Sequence, residues 1–149
     1  MPRDGTPVAW VCHPMKSLKE FLQGDEFVKH CGIELVSVAP GHAVTRMRVQ
    51  PHHLNAVGIT QGGAIFTLAD YAFAAASNSH GTVAVGVNVS ITYLKSVSAG
   101  VLTAEAREVD LNPKLASYAV NVTDEAGQLI AIFQGMVYRK SQPIAATHP

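Results

Sequence analysis

From Ala64 to Ala76 the chain is apolar at every position except Thr67 and Asp70. A run of this length without strand-like alternation reads as a helix that is hydrophobic nearly all round, hence a core helix. Taken from Gly63 to about Ser79, it would be roughly 25 Å long at about 1.5 Å per residue. Beyond Gly81 the period changes: Val83, Val85, Val87, Val89, Ile91 and Tyr93 alternate with small or polar residues, which is the two-residue period of a long strand. Three more strands are expected over 102–109, 115–123 and 129–138, with Ala99-Gly100, Asn112-Pro113 and the Asp124 to Gly127 segment supplying the turns. Upstream, 33–38 and 43–49 read as a hairpin about Pro40-Gly41. Pro51 ends its second strand, and a loop follows to Thr60. Ser17 and Glu20 have capping-box spacing before an apolar stripe of Leu18, Phe21 and Leu22, so a short helix is expected there, bent near Gly24 and finished by about Gly32.

The order is therefore helix, two strands, a long buried helix, then four strands joined by short turns. Short turns imply antiparallel neighbours, and such a sheet can pack one face on a helix and leave the other free. The fold class is α+β, a sheet wrapped around a central helix.

Length and composition narrow the rest. A chain of 149 residues suits one domain, placed at 17–140, with an N-terminal extension over 1–16 expected to be partly disordered and a tail over 141–149. Lys plus Arg and Asp plus Glu stand at 11 each, so the basic excess that nucleic acid or anionic lipid requires is missing. Only 15% of residues are charged against 48% hydrophobic, which points to a homo-oligomer. Cys12 and Cys31 form no disulfide framework or CxxC pattern, consistent with a reducing, cytoplasmic setting. The short apolar stretch from Val8 to Cys12 is no signal peptide, and no other segment approaches a membrane span.

The candidate chemistry centres on Asp70. A carboxylate in so apolar a helix needs a hydrogen-bonded structural partner, across an oligomer interface for instance, or a chemical task. Gly62 and Gly63 supply the companion: glycines admit a ligand closely, and the free N–H groups of a helix start polarise an incoming oxygen. They also read as a plain loop-to-helix turn. Seven residues separate Gly63 from Asp70, which places the two on nearly one helix face but about 10 Å apart. One carbonyl cannot touch both. If they serve the same carbon, the helix start of one chain must meet Asp70 of a second, as in an antiparallel helix pair across a twofold axis.

Asn55 and Gln61 are ordinary loop residues when taken singly. His52-His53 invites a metal, but no HExxH or His-Asp-His spacing occurs, so no metal site is expected. The GxSxG elbow, Walker loop and GxGxxG are likewise missing, which disfavours a serine nucleophile, nucleotide hydrolysis and dinucleotide redox chemistry. No cofactor is expected.

Asn55, the Gln61-Gly62-Gly63 triplet, Leu68-Ala69-Asp70, Asn78-Ser79 and the Ile91 to Leu94 strand together resemble hot-dog-fold acyl-CoA thioesterases of the phenylacetate-pathway (PaaI) type, over about 17–140. The resemblance implies hydrolysis of a small or medium acyl-CoA, an aromatic acyl group included, to free acid and CoA. It implies that the Gly62 amide polarises the thioester carbonyl, that Asp70 of the opposite subunit acts as general base or nucleophile, and that Asn55 positions the water or nucleophile. Many members carry His-Gly-Gly where this chain has Gln61-Gly-Gly, and Gln keeps a donor and an acceptor but does not titrate. Gly63 would contact substrate. Lys95 and Lys114 are candidates for holding CoA phosphates, with Arg107 and Arg139 weaker ones, and Phe66, Tyr71 and Phe73 are open as acyl-pocket residues. A dimer is expected as the minimal active unit, within a tetramer. Two other readings stand beside this one: a non-catalytic acyl-CoA-binding or sensing protein on the same fold, motivated by Gln61, and a hot-dog hydratase or dehydratase, for which no matching His-acid pair is found.

Overall fold

The computed structural model describes residues 14–144. Two short helices open it, α1 (Pro14–Gln23) and α2 (Glu26–His30), with the break at Gly24 where the bend is expected. Asp25 caps α2, its carboxylate accepting from the Val28 N–H at 3.0 Å. Because α1 begins at Pro14, Ser17 lies within the helix and does not start it. Proline suits a first helical position, where its missing N–H costs nothing. The expected stripe does its work: Leu18 and Leu22 are buried. The remainder of the expected N-terminal extension, 1–13, and the end of the tail, 145–149, lie outside the described residues.

The strands are β1 (Ile33–Ala39), β2 (His42–Arg48), β3 (Thr82–Tyr93), β4 (Val101–Leu111), β5 (Leu115–Thr123) and β6 (Leu129–Pro143), and the long helix α3 spans Gly62–Asn78. They form one antiparallel sheet in the order β1-β2-β4-β5-β6-β3. β6 runs past 138, where the sequence pattern ends, because its pairing with β3 continues until Thr82 faces Pro143. The helix packs against all six strands.

Small residues set how closely the helix lies on the sheet. Ala69, Ala72, Ala75 and Ala76 are fully buried, and side chains of this size bring the helix backbone near the strands, where close packing is densest. Phe73 is the large exception. Its ring lies against β6 so tightly that a Cβ at Gly135 would come within 2.6 Å of it, and it packs edge-on to Tyr118 and near Phe133 at centroid distances of 5.8 and 5.5 Å. Polar pins fix the helix along its length. The buried Thr45 hydroxyl donates to the Leu68 carbonyl at 2.9 Å, Asn78 accepts from Ala84 N–H at 3.0 Å, and Ser79 accepts from Gly41 N–H at 2.8 Å.

The helix is not buried all round, as its composition suggests. Gly63 is exposed and Thr67, Asp70 and Ala74 are half-exposed, and their spacing of four, three and four residues places them on one face. A second open surface is β3. As an edge strand it is paired on one side only among the described residues, and Val85, Val87 and Val89 are 43%, 57% and 38% exposed. No helix among the described residues is long and apolar enough to cross a membrane.

Candidate active site

The approach to α3 is held by the backbone before any functional side chain is placed. Asn55 Oδ1 accepts from the N–H groups of Val57 at 3.0 Å and Ile59 at 3.3 Å, closing the loop in the manner expected of an Asx turn. The Thr60 N–H and hydroxyl both donate to the Val97 carbonyl, at 2.8 and 2.7 Å, and the Gln61 N–H donates to the His53 carbonyl at 2.8 Å. His53 itself is buried with both ring nitrogens committed. Its Nδ1 accepts from the Gln50 N–H, so Nε2 carries the proton and donates to the Cys31 carbonyl at 2.8 Å. This histidine builds the loop's foundation.

Gln61 is the N-cap of α3, its side-chain oxygen accepting from the Gly63 N–H. The carboxamide fills the space that a Cβ at residue 63 would need, approaching that point within 2.6 Å, so glycine at 63 is what admits the cap. The two glycines therefore part company. The Gly63 N–H is occupied, whereas the Gly62 N–H meets no acceptor among the described residues. It is the open donor at the positive end of a 17-residue helix.

Gly62 lines a cavity of about 270 Å³ together with Asn55, Ile59, Ile65, Tyr93 and Lys95. Gln61, Gly63, Thr67 and Phe66 line a second cavity of about 610 Å³, together with Phe27 and Leu54. The structure thus gathers Asn55, Gln61, Gly62, Gly63 and Lys95 around the helix start. It does not bring Lys114 there. Tyr93 faces Ala131 and Leu115 faces Tyr138, so seven residues of β6, or roughly 23 Å at the rise of a strand, separate Lys114 from this end of the sheet. Its ammonium instead sits 6.0 Å from the Tyr138 ring centroid. Arg107 is engaged with Glu105 and Arg139 with the Asn112 carbonyl. Of the three aromatic candidates for an acyl pocket, Phe66 lines the larger cavity, while Tyr71 and Phe73 are buried in the core.

Asp70 lies two turns along α3 and lines neither cavity. It is half-buried and makes no hydrogen bond or ion pair with the described residues of its own chain. Desolvation raises its carboxyl above the ordinary aspartate value, and the negative charge of Asp25 adds to the effect. An acid held this way is a stronger base once ionised than one in water. The residue that sequence reasoning passed over is Tyr93, whose hydroxyl donates to the Gly62 carbonyl at 2.8 Å. The strand alternation shows that Tyr93 shares a face with Ile91 and Val89, but not which helix turn that face meets.

Residues 57–131 match the family described as the thioesterase superfamily. The chain belongs to that superfamily. This thioesterase is 40% identical over 135 residues to an Archaeoglobus fulgidus protein, an alignment covering 89% of this chain and 88% of the other. It is 34% identical over 118 residues to the acyl-coenzyme A thioesterase PaaI of Escherichia coli, covering 78% of this chain and 84% of that one. The solved structure of the E. coli PaaI protein from the phenylacetic acid degradation operon superposes with a TM-score of 0.83 at 29% identity, over 87% of this chain and 95% of that chain. The thioesterase therefore has the hot-dog fold, one long helix wrapped by a six-stranded antiparallel sheet, and is a thioester hydrolase of PaaI type.

Proposed function

We propose that this thioesterase hydrolyses the thioester of a small or medium acyl-CoA, aromatic acyl groups included, to the free acid and CoA, in sites shared between two chains. The observation that carries the reading is the contrast at the helix start: the Gly63 N–H is capped, whereas the Gly62 N–H meets no acceptor among the described residues and belongs to a residue that lines a cavity with Asn55 and Lys95. The thioester oxygen accepts from the Gly62 N–H, which stabilises the negative charge that develops there as the carbonyl carbon becomes tetrahedral. Lys95 at the cavity mouth faces CoA phosphate. Asn55 has its oxygen tied to the loop and its Nδ2 unused among the described residues, so its amide is left to orient water or substrate. Gln61 contributes through its cap on Gly63, a task that needs no titrating group.

The base is the Asp70 carboxylate of the partner subunit. Within one chain Asp70 is two turns from Gly62, too far for one carbonyl to touch both. The half-exposed seam of Gly63, Thr67, Asp70 and Ala74 on α3, together with the unpaired apolar edge of β3, supports a twofold pairing that runs the two helices antiparallel. Acting as base, the carboxylate takes a proton from the water that attacks the carbonyl carbon. The C–S bond then breaks, and the proton passes to the departing CoA thiolate. Acting as nucleophile, it attacks the carbonyl carbon and breaks the C–S bond to give a mixed acyl anhydride and CoA thiolate; water then opens the anhydride to the free acid and the Asp70 carboxylate, and the proton released goes to the thiolate. Label found in Asp70 after a single turnover in ¹⁸O-water identifies the anhydride route with water attacking the aspartyl carbonyl, because the general-base route puts label in the product acid alone.

The test is a thiol-release assay across acyl-CoAs of graded length and aromaticity, with mixed oligomers as the decisive arm. Asp70→Asn and Gly62→Val chains, each inactive alone, form hybrids in which one of two sites has an intact Gly62 and an intact Asp70. Random mixing then restores about a quarter of wild-type turnover under twofold symmetry. No recovery on mixing, with hybrid formation verified, would overturn the shared site.

A further inference from the structure

We propose that Tyr93 is a positioning residue of this site, whose ring and hydroxyl hold the first peptides of α3 so that the Gly62 N–H stays turned into the cavity. The inference rests on Gly62 being the polarising donor. Two adjacent glycines at a helix start are the least constrained backbone the chain could place there, yet an oxyanion donor is effective only when its direction is set before the charge develops.

Three contacts set that direction. The Gln61 carbonyl accepts from Ala64 N–H at 2.9 Å and so points into the helix, which turns the Gly62 N–H of the same trans peptide outward. The next peptide, which joins Gly62 to Gly63, is held at both ends: its carbonyl accepts from the Tyr93 hydroxyl at 2.8 Å, and its N–H donates to Gln61 Oε1. A flip of that peptide would break both bonds. Hydroxyl, peptide and carboxamide also form one chain of hydrogen bonds, in which each polarises the next. The third contact is steric. The Tyr93 ring stands 3.0 Å from where a Cβ at residue 62 would be, so any larger residue there would push the ring and its hydroxyl aside by a few tenths of an ångström. Since Tyr93 ends β3, the open edge strand, the donor's alignment is tied to the strand on which a second copy would pair.

Tyr93→Phe keeps the ring and removes the hydroxyl. In the full-length protein, kcat for the best acyl-CoA should fall about tenfold with KM within about twofold. The melting temperature should stay near that of the wild type, and hydrogen exchange at the Gly63 amide should speed up by NMR. Gly62→Ala, whose methyl group would crowd the end of the ring and displace the hydroxyl from the Gly62 carbonyl, should lower kcat at least as much as Tyr93→Phe. Wild-type kcat and wild-type Gly63 exchange in Tyr93→Phe would overturn the proposal, as would a change confined to KM, which would make the hydroxyl a substrate contact. If the wild-type chain releases no CoA from any acyl-CoA, the functional reading fails by itself, and Gly63 exchange still decides whether Tyr93 holds the helix start.

Discussion

At the scale of single residues, Asp70 and Gly62 are defined by what they lack. Each offers a polar group that meets no partner among the described residues, where no buried side-chain nitrogen or oxygen goes unsatisfied. The cost of keeping Asp70 so is measurable. Burial raises its carboxyl in the folded state, above an unfolded value of about 3.9, so the folded protein holds that proton more tightly than the unfolded chain does. The resulting stability is fully present below the unfolded value and is lost as pH rises through the raised folded value. Asn at 70 does not titrate. Asp70→Asn should therefore melt higher than the wild type at pH 7.5 and lose this advantage towards pH 4, while its turnover falls by about two orders of magnitude or more. Paired thermal melts at the two pH values check the first part. An Asp70→Asn protein less stable than the wild type at pH 7.5 would mean that the carboxylate is a structural ligand.

At the scale of elements, α3 is held by close approach along its flanks and by pins at both ends. Phe73 supplies the sharpest case. A methyl group at Gly135 would meet three atoms of its ring at 2.6 to 2.9 Å, and the ring is buried while β6 is paired on both sides. Gly135→Ala should destabilise the protein by about 1–3 kcal/mol, the cost of an overpacked core, read from urea denaturation. Turnover of the remaining folded fraction should be little changed, since Gly135 borders neither cavity at the helix start. At the far end of α3, Glu108 joins the helix exit to the sheet by accepting from Tyr118 at 2.8 Å and pairing with His80 at 2.6 Å. Burial alone would raise this carboxyl, but those hydrogen bonds and the nearby positive charge of His80 and Arg139 outweigh it and hold Glu108 below its ordinary value.

At the scale of the whole molecule, the protomer leaves two surfaces unfinished, the Asp70 face of α3 and the edge of β3. A long apolar edge is a template for another strand, and a lysine placed on it is the usual protection against such pairing. Val87→Lys, at a position 57% exposed in the protomer, should leave the far-UV circular dichroism unchanged, shift the protein to a monomer by light scattering and abolish thiol release. A monomer with full activity would overturn the two-chain site. Much of this was legible in the sequence because local periodicity carries it. The two-residue alternation from Val83 to Tyr93, the apolar run of α3 and the turn residues sufficed for the α+β order, and the helical rise alone separated Gly63 from Asp70 by two turns. Motif spacing picked out Asn55, Gln61, Gly62 and Asp70 as a set. Other features depend on pairs of residues far apart in the chain, whose meeting is decided by strand register and sheet order. Lys95 comes to the helix start while Lys114 is carried to the other end of β6, His53 spends both nitrogens on the backbone, and Gly63 is capped while Gly62 stays open. Tyr93 reaches across 31 positions to the Gly62 carbonyl. Which amide remains free is a matter of who already holds the other, and only the tertiary structure decides that.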